Sequence, residues 1–599
     1  MKRTMVIFLA LAMVVGMLAG CASSGNTPAA TTTAAAATTA AVAGTTAAAA
    51  TTAAAATTAA GATTAAATTA ASEPGTTAMG NKAVQFPLAQ PEHFVFMARG
   101  NGTGDWGDNV EQLTKNKFWN DITSQANVEI EWMFLGDDAI ASLTARFAAG
   151  TAGDFIAQAN TLNDAQVAQF SASGMLMPIE QYVTDPEVMP NFNERAIAER
   201  PEIVGTMTTP DGHIYALANY NAALYNYLES PIIINVDWLK QSGLDTPTTT
   251  AELRQYLEYI RDNDCNGNGD AKDEVPALFL ANNTSYIGHA AFLQMWGIGG
   301  KASALDSYVR VDNDVISFIP MTDNYRDAMV ELAQWYADGL IWADAYDGDG
   351  DSANALINSE LPMVGVHTNK NRPATANTEQ FDYIIPPHAE GKEVRSYYHP
   401  GYMGVKNIME VTSKCVEPEI LLHFIDLFYV LETNMINQYN YPGEGLLEIT
   451  ADGKFHPLDL TADQKTAVLN ANPPVYNLGG QFTPSVRNVY DYDNLIELSD
   501  SDKAYKAVYE KYYEAGVLNP EPWPRPYFKP EDSERLGELR TDIFNIVDIQ
   551  TAKWGTAQED VLAGWDAYVA SLKAAGVDEY VKICQDAYDI WKTAIDNLG

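Results

Sequence analysis

Segments with strand-like and helix-like periodicity alternate along the chain from about residue 93. Residues 93–98 form an apolar run, and residues 128–134 alternate apolar and polar side chains. A helical pattern at 139–147 follows, and then a third apolar segment at 155–157. A β-α-β-α order implies a parallel, doubly wound sheet with helices on its faces. We therefore expect an α/β protein that binds ligands beyond the carboxyl ends of its strands.

The N-terminal residues predict export and a lipid anchor. Lys2 and Arg3 precede an apolar run at 6–18, as in a secretory signal peptide over residues 1–20. The run ends in Leu-Ala-Gly before Cys21, which resembles a bacterial lipobox, where the chain is cut before the cysteine and its thiol receives diacylglycerol. Buried acyl chains would then hold the mature N-terminus in a membrane. An ordinary secreted protein with a chance cysteine is the alternative.

An Ala/Thr-rich tract at residues 27–71 follows the anchor. It has few charges and no large apolar side chains, so it cannot bury a core, and we expect a disordered tether over residues 21–84. The composition becomes globular from about residue 85. Roughly 510 residues remain, enough for two or three domains with a large core.

Charge and cysteine content exclude several classes of protein. The formal net charge is −41, with 77 acidic and 36 basic residues, which argues against binding nucleic acid or anionic lipid headgroups. Apart from Cys21, the cysteines are Cys265, Cys415 and Cys584, with no CxxC spacing. A disulfide framework or a zinc cluster is therefore not expected.

Residues 264–276 have the pattern of a calcium loop. They read Asp-Cys-Asn-Gly-Asn-Gly-Asp-Ala-Lys-Asp-Glu-Val-Pro. Oxygen-bearing side chains alternate with glycines, and Ca²⁺ takes six to eight oxygen ligands that a tight turn brings together. An acidic surface turn without metal is the alternative. A second acidic stretch at 347–351 lacks a closing acid, and we interpret it as a solvated turn.

Two registers of this loop compete. Counting from Asp262 puts the sharp turn at Gly267, whereas counting from Asp264 puts it at Gly269. Both registers use Asp273 as the closing acid, and the second register allows Glu274 in its place. Calcium is the cofactor that either register implies.

A glycine fingerprint follows the first predicted strand. Gly102, Gly104 and Gly107 satisfy G-x-G-x-x-G between a strand and a helix, as in dinucleotide-binding folds. Export removes the protein from the nicotinamide pool, and bulky Trp106 sits where a backbone should approach a pyrophosphate. We interpret the segment as a ligand loop at the carboxyl end of a strand.

Several stretches, taken in order, resemble the family 1 extracellular solute-binding proteins of ABC importers, in the long lipoprotein branch that includes alginate-binding proteins. The resembling stretches are Gly-Asp-Phe-Ile at 153–156, Asp-Gly-His-Ile-Tyr-Ala-Leu at 211–217, Asn-Val-Asp-Trp-Leu at 235–239, Gly-Leu-Asp-Thr-Pro-Thr-Thr at 243–249, the loop at 264–276, Tyr-Pro-Gly-Glu-Gly at 441–445 and Trp-Asp-Ala-Tyr at 565–568. The likeness covers nearly all of residues 90–599.

The resemblance implies a two-lobed, periplasmic-binding-protein-like fold of type II, with hinged lobes and a helical C-terminal region. We expect lobe 1 to comprise residues 85–222 with about 400–485, and lobe 2 residues 223–399 with about 486–599. The implied function is capture of a carbohydrate in the interlobe cleft and delivery to an ABC permease by a lipid-anchored monomer. Hinge closure around the ligand would signal loading.

The resemblance also implies a set of calcium ligands, with the metal structural and away from the cleft. Carried over residue by residue, they are Asp264, Asn266, Asn268, Asp270, Asp273 and Glu274. One residue is inserted before the last two, which leaves the closing acid open between them.

Ligand contacts are expected in strand-to-helix loops and hinge segments. A pyranose has an apolar C–H face and a polar rim, so it stacks on aromatic rings and bonds to carboxylates and amides. The candidates are Trp106, Asp154, Asn219, Tyr220, Trp296, Tyr402 and Glu444. Core packing is the alternative for each aromatic residue, and capping of the next helix is the alternative for Asp154.

Two other functions remain open at this stage. A secreted carbohydrate-active enzyme needs paired carboxylates, which 77 acidic residues cannot exclude, although GxSxG and HExxH motifs are absent. A calcium-dependent receptor or adhesin would need the metal to change the shape of the protein. One loop inside an α/β lobe favours a brace instead.

Overall fold

The chain folds around two separate four-stranded sheets. The computed structural model describes residues 84–99, 116–136, 138–158, 161–221, 228, 231–281, 290–299, 307–368, 378–396, 406–439, 441–458, 460–461, 463–464, 467–468, 484–488, 490–519 and 521–597. The strands are β1 Glu92–Ala98, β2 Val128–Phe134, β3 Phe155–Ile156, β4 Tyr220–Asn221, β5 Ile232–Asn235, β6 Val275–Leu278, β7 Val309–Asp312, β8 Val315–Phe318, β9 Val364–His367, β10 Phe381–Ile384, β11 Glu410–Val411, β12 Leu447–Ile449, β13 Phe455–Pro457 and β14 Val486–Arg487.

Seventeen α-helices of the described chain surround these sheets. They are α1 Lys117–Ala126, α2 Ala139–Ala149, α3 Asp164–Ala172, α4 Glu180–Val183, α5 Pro190–Phe192, α6 Glu202–Met207, α7 Val236–Ser242, α8 Thr250–Asp262, α9 Ala290–Leu293, α10 Asp323–Ala337, α11 Gly350–Ile357, α12 Pro418–Asp426, α13 Leu431–Tyr439, α14 Asp500–Glu514, α15 Pro530–Gly555, α16 Val561–Ala574 and α17 Val577–Asp596. No helix of the described part is both long and apolar enough to span a bilayer.

The first sheet has the strand order β11-β3-β1-β2. Strands β1, β2 and β3 are parallel, as the β-α-β-α pattern predicts, with Phe96 opposite both Trp132 and Phe155. Strand β11 adds an antiparallel edge through Glu410 opposite Ile156. Because the three parallel strands point the same way, the loops that follow them share one edge of the sheet.

The second sheet has the order β10-β5-β9-β6 and is mixed rather than parallel. Only β6 and β9 are parallel, with Ala277 opposite Val366, while β5 pairs antiparallel with both β9 and β10. The prediction of a parallel sheet is therefore right for part of each sheet. The direction of β5 relative to β9 and β10 is set by pairing between distant segments, which local periodicity does not encode.

Two contacts connect distant parts of the chain near these sheets. Strands β4 and β14 pair in parallel, with Tyr220 opposite Val486. Helix α17 packs against α6 closely enough that a Cβ on Gly205 would lie 2.6 Å from Ile595 Cγ1. The C-terminal helical region thus contacts the half of the chain that carries the first sheet. The exact lobe boundaries stay a prediction.

Candidate functional site

A cavity of about 510 Å³ lies where the carboxyl edge of the first sheet meets the N-terminal half of α15. We call it the cleft cavity. It is lined by Leu162, Asn163, Asp164, Ala165, Ser307, Lys406, Asn407, Trp523, Arg525, Pro526, Phe528, Ser533, Leu536, Gly537 and Arg540. The lining combines aromatic rings, amides, hydroxyls and charges, as a site for a polar organic ligand requires.

The first wall of the cleft cavity is the start of α3, which follows β3. Asn163 is the N-cap of this helix, and its side chain accepts a hydrogen bond from the Gln166 backbone N–H at 2.9 Å. The Gln166 side chain accepts in return from the Asn163 backbone, which closes a capping box and fixes the turn. Asp164 comes next and points its carboxylate at residues 406 and 407.

Lys406 neutralises Asp164 at the base of the cavity. The Lys406 side chain is 5% exposed, and its Nζ lies 3.0 Å from Asp164 Oδ2. It also donates to the Arg525 carbonyl at 2.8 Å and lies 3.7 Å from the ring centroid of Tyr527. Burial lowers the pKa of Lys406, while Asp164 acts in the opposite direction. The buried cation is therefore held by three partners.

Asn407 extends this network across the cavity floor. Its Nδ2 donates to Asp164 Oδ1 at 2.6 Å, and its Oδ1 accepts from the hydroxyl of buried Tyr527. Residues 406 and 407 precede β11, whereas Tyr527 precedes α15. The network therefore joins the first sheet to the segment that forms the opposite wall.

The second wall is one face of α15 with the segment before it. Ser533, Leu536, Gly537 and Arg540 are spaced three, four and seven residues apart, which places them on one side of a helix. The Arg540 Nη2 donates to Ser307 Oγ at 3.0 Å, and its guanidinium lies 5.2 Å from the Phe528 ring.

A larger cavity of about 920 Å³ lies beside the second sheet. Strand β10, helix α7 and the end of α14 form its walls, together with residues 246–248 and 385–394. None of its lining residues comes from the first sheet. We therefore assign the ligand site to the cleft cavity.

Asp154 lies at the amino edge of the first sheet, because it precedes β3 rather than following it. Its Oδ2 accepts a hydrogen bond from the Val95 backbone N–H at 2.8 Å, inside the sheet. Burial raises the pKa of this carboxyl group. The side chain thus neither faces the carboxyl edge nor caps a helix.

Asn219 and Tyr220 lie at the crossover between β4 and β14. The Asn219 side chain accepts from the Ser485 backbone N–H at 2.7 Å. Tyr220 is 1% exposed, and its hydroxyl donates a hydrogen bond to Glu199. Burial is the larger cause that raises the pKa of the phenol, and Glu199 adds to the effect. In this structure both side chains hold the crossover together.

Trp296 and Glu444 lie in different surroundings. Trp296 is 1% exposed and packs 6.2 Å from the Trp335 ring, as in the core-packing alternative. Glu444 forms an ion pair with Lys117 at 2.9 Å, next to the ring of Tyr441. Trp106 and Tyr402 lie outside the described residues.

None of the described candidates from the sequence lines the cleft cavity, and the principal lining residues were missed. One signal was available for Asp164, which comes shortly after the third predicted strand, as Trp106 comes shortly after the first. Arg540 and Trp523 had no such signal, because helical periodicity does not show which face of α15 meets another part of the chain.

The predicted calcium loop is a closed turn after α8. Asp264 accepts hydrogen bonds from the backbone N–H groups of Gly267, Asn268 and Gly269 at 2.8–3.1 Å. Gly267 and Gly269 have φ of 78° and 96°, a conformation that favours glycine. The side-chain oxygen of Asn266 accepts from the Asn268 N–H at 3.0 Å, which leaves one of its two lone pairs free.

The closing acids differ in their surroundings. Asp273 contacts the amides of Asn266 and Asn268, whereas Glu274 is 8% exposed and accepts from the Asn266 backbone N–H at 3.1 Å. The other oxygen of Glu274 is buried without a hydrogen-bond partner. Burial also raises the pKa of Glu274. An orphaned carboxylate oxygen in an oxygen-rich loop fits a hard cation such as Ca²⁺.

Two further observations bear on metal binding. In the described chain, no group of three or more His, Cys, Asp or Glu side chains is arranged to hold a metal ion, so the amides and backbone carbonyls of the loop would have to contribute. Burial raises the pKa of Cys265 to about 12, which keeps its thiol protonated. In the second acidic stretch, Asp349 is the N-cap of α11.

Comparisons with known proteins identify relatives that bind solutes. A family model described as bacterial extracellular solute-binding protein matches residues 106–428. The fructooligosaccharide ABC transporter substrate-binding protein FusA of Streptococcus pneumoniae is 25% identical over 527 residues, which are 85% of this chain and 92% of FusA.

Solved structures show the same fold over most of the chain. A FusA EF-hand mutant in complex with fructo-nystose has a TM-score of 0.63 at 22% identity and covers 84% of this chain and 100% of its own. An HMO binding protein from Bifidobacterium longum infantis has a TM-score of 0.66 at 22% identity, with 84% and 99% covered. The alginate-binding protein AlgQ2, solved without calcium ion, has a TM-score of 0.57 at 18% identity, and the match covers 84% of this chain and 99% of AlgQ2.

These structures have the two-lobed type II fold that the sequence motifs implied. The family model alone spans more than half of the chain. The protein therefore belongs to the bacterial extracellular solute-binding proteins.

Proposed function

We propose that the protein captures an oligosaccharide in the cleft cavity and delivers it to an ABC importer. The observation that carries this proposal is the lining of the cavity, where the half-buried ring of Phe528 and an edge of largely buried Trp523 lie beside Asp164 and Asn407. Sugars need this combination of stacking faces and hydrogen-bonding groups. The relatives named for fructooligosaccharide, HMO and alginate support the same ligand class.

The two walls of the cavity suit a hinged mechanism. Asp164 and Asn407 belong to the first-sheet side, whereas Phe528 and Arg540 belong to the α15 side. A ligand that contacts both walls stabilises the closed arrangement by its differential affinity for that state. Closure is the signal that a permease would recognise. Trp106 and Tyr402, which lie outside the described residues, remain proposed ligand contacts, as does Glu444.

A thermal-shift screen of oligosaccharides tests this function. A ligand at 100 times its Kd adds about 2.7 kcal/mol to the free energy of unfolding, which we expect as a rise of a few degrees in Tm. Calorimetry on each hit should give one site per chain. The proposal is wrong if a broad panel of neutral and acidic oligosaccharides leaves Tm unchanged. Hydrolysis of a hit during incubation would instead support a carbohydrate-active enzyme.

We also propose that Cys21 carries the lipid anchor and that residues 21–84 tether a monomeric binding domain to the outer face of the cell membrane. The lipobox-like sequence and the Ala/Thr tract support this placement. Expressed with its leader, the protein should fractionate with membranes, and Cys21→Ser should release it. Equal membrane association of both forms would contradict the anchor.

We further propose that the loop at 264–274 binds a structural Ca²⁺. The ligands would be Asp264, Asn266, Asn268, Asp270 and the closing acids Asp273 and Glu274. The orphaned oxygen of Glu274 supports the proposal, as do the similar structures of a FusA EF-hand mutant and of AlgQ2 solved without calcium ion. The bound ion would hold α8 and β6 in fixed relation.

A further inference from the structure

The charges that line the cleft cavity are opposite to those of the chain as a whole. Acids outnumber Lys and Arg by 77 to 36 in the sequence. Among the described lining residues, three are cationic, namely Lys406, Arg525 and Arg540, and only Asp164 is acidic. A cavity lined by more cations than acids favours negatively charged solutes.

Lys406 does not supply this excess, because its charge is already used. Asp164 lies 3.0 Å away, and the Arg525 carbonyl and the Tyr527 ring take up the remaining contacts. The ion pair contributes no net charge to the cavity. A charge that could pair with a ligand must therefore come from another side chain of the lining.

Arg540 lies on the α15 wall of the cavity. It donates to Ser307 Oγ and lies against the rings of Phe528 and Tyr580, which are all neutral partners. Its Nε is buried with no hydrogen-bond partner. Within the described part of the chain, no carboxylate forms an ion pair with it. The Arg540 side chain therefore combines a buried N–H donor without an acceptor and a positive charge that no described carboxylate balances.

We propose that the oligosaccharide recognised here is acidic, with a sugar carboxylate bound by Arg540. This inference rests on the proposed function. The planar guanidinium matches a carboxylate through paired N–H donors, and such charge-assisted bonds are stronger than those to a hydroxyl. The overall charge of the chain does not prevent binding, since salt at 0.1 M screens exposed charges beyond about 10 Å.

Matched ligands test the proposal. Oligomers of galacturonate, mannuronate and glucuronate are compared by calorimetry with their carboxyl-reduced counterparts, which keep the length and linkage. We expect at least one acidic oligomer to bind about tenfold or more tightly than its reduced form. Neutral oligosaccharides that bind as tightly as every acidic one would overturn the inference and leave the proposed function intact. Absence of binding by all saccharides would remove both.

Variants assign the preference to Arg540. Arg540→Met should reduce the ratio of affinities for the acidic oligomer and its carboxyl-reduced form to about threefold or less. Arg540→Lys should keep part of this affinity ratio. Lys553→Met, which removes an exposed cation from the same helix, is the matched control and should keep the full ratio. If folded Arg540→Met kept the affinity ratio of the wild type, Arg540 would not be the residue that binds the carboxylate. If that variant does not fold, the wild-type comparison still decides the ligand class.

Discussion

Glu410 is a fully buried carboxyl group on β11, and neither of its oxygens has a hydrogen-bond partner among the residues that the structure describes. Burial raises its pKa well above the usual value. The folded state therefore holds this proton to a higher pH than the unfolded state does. As pH rises above the ordinary pKa of glutamate toward the folded pKa, the protein loses stability, by up to about 1.4 kcal/mol per pH unit.

We accordingly expect Glu410→Gln to stabilise the protein increasingly as pH rises. A glutamine has nearly the shape of the protonated acid and does not titrate, so Tm of the variant and the wild type should be similar near pH 5. At pH 8, Tm of the variant should be several degrees higher than Tm of the wild type. Thermal unfolding across this range measures the gap. Glu129→Gln, on the exposed side of β2, is the control, and a constant gap for Glu410→Gln would contradict the assignment.

At the scale of elements, α15 and α17 both connect the C-terminal helical region to distant parts of the chain. Helix α15 supplies a wall of the cleft cavity, and α17 packs against α6 through Gly205. A Cβ there would lie 2.6 Å from Ile595 Cγ1 and 3.3 Å from the Trp591 carbonyl oxygen. The close approach of the two helices depends on the missing side chain.

Gly205→Ala should therefore destabilise the protein by about 1–3 kcal/mol, because the added methyl overpacks the contact. Denaturant unfolding measures the change. Gly537→Ala is the matched control, since a Cβ on that residue of α15 meets nothing within 4 Å and alanine favours helix by up to about 1 kcal/mol. Equal effects of the two substitutions would show that α6 and α17 do not need the close contact.

At the scale of the whole molecule, the proposed metal loop and the ligand cavity are separate. The loop precedes β6 and so lies at the amino edge of that strand, and none of its residues lines the cleft cavity. Asp154 has the corresponding position in the first sheet. A brace at an amino edge stabilises a lobe without contacting the solute.

We expect Ca²⁺ to raise Tm and chelation by EDTA to lower it, while the Kd for a saccharide changes less than about twofold. Glu274→Gln should lose most of the calcium-dependent rise, and Asp273→Asn shows whether the neighbouring acid contributes. Asp351→Asn, in the other acidic stretch, is the control. If EDTA abolished saccharide binding by a protein that stayed folded, the loop would be a sensor rather than a brace.

The sequence predicted the parts of this molecule that depend on local order. Strand and helix patterns at 93–157 predicted the parallel strands of the first sheet, and motif order predicted the two-lobed family fold. The proposed ligand site was harder to predict, because Asp164, Lys406 and Arg540 come from three distant segments that meet only after folding. Trp296 illustrates the reverse problem, since an aromatic residue beside glycines looks the same whether it stacks on a sugar or on Trp335.

The cavity wall formed by residues 523–540 has a consequence for the order in which the protein is made. The last strand of the first sheet, β11, ends at Val411, so a ribosome completes that sheet before it makes residues 523–540. An emerging chain therefore has only one wall of the proposed binding site. The proposed site can be complete only after nearly the whole chain has been synthesised.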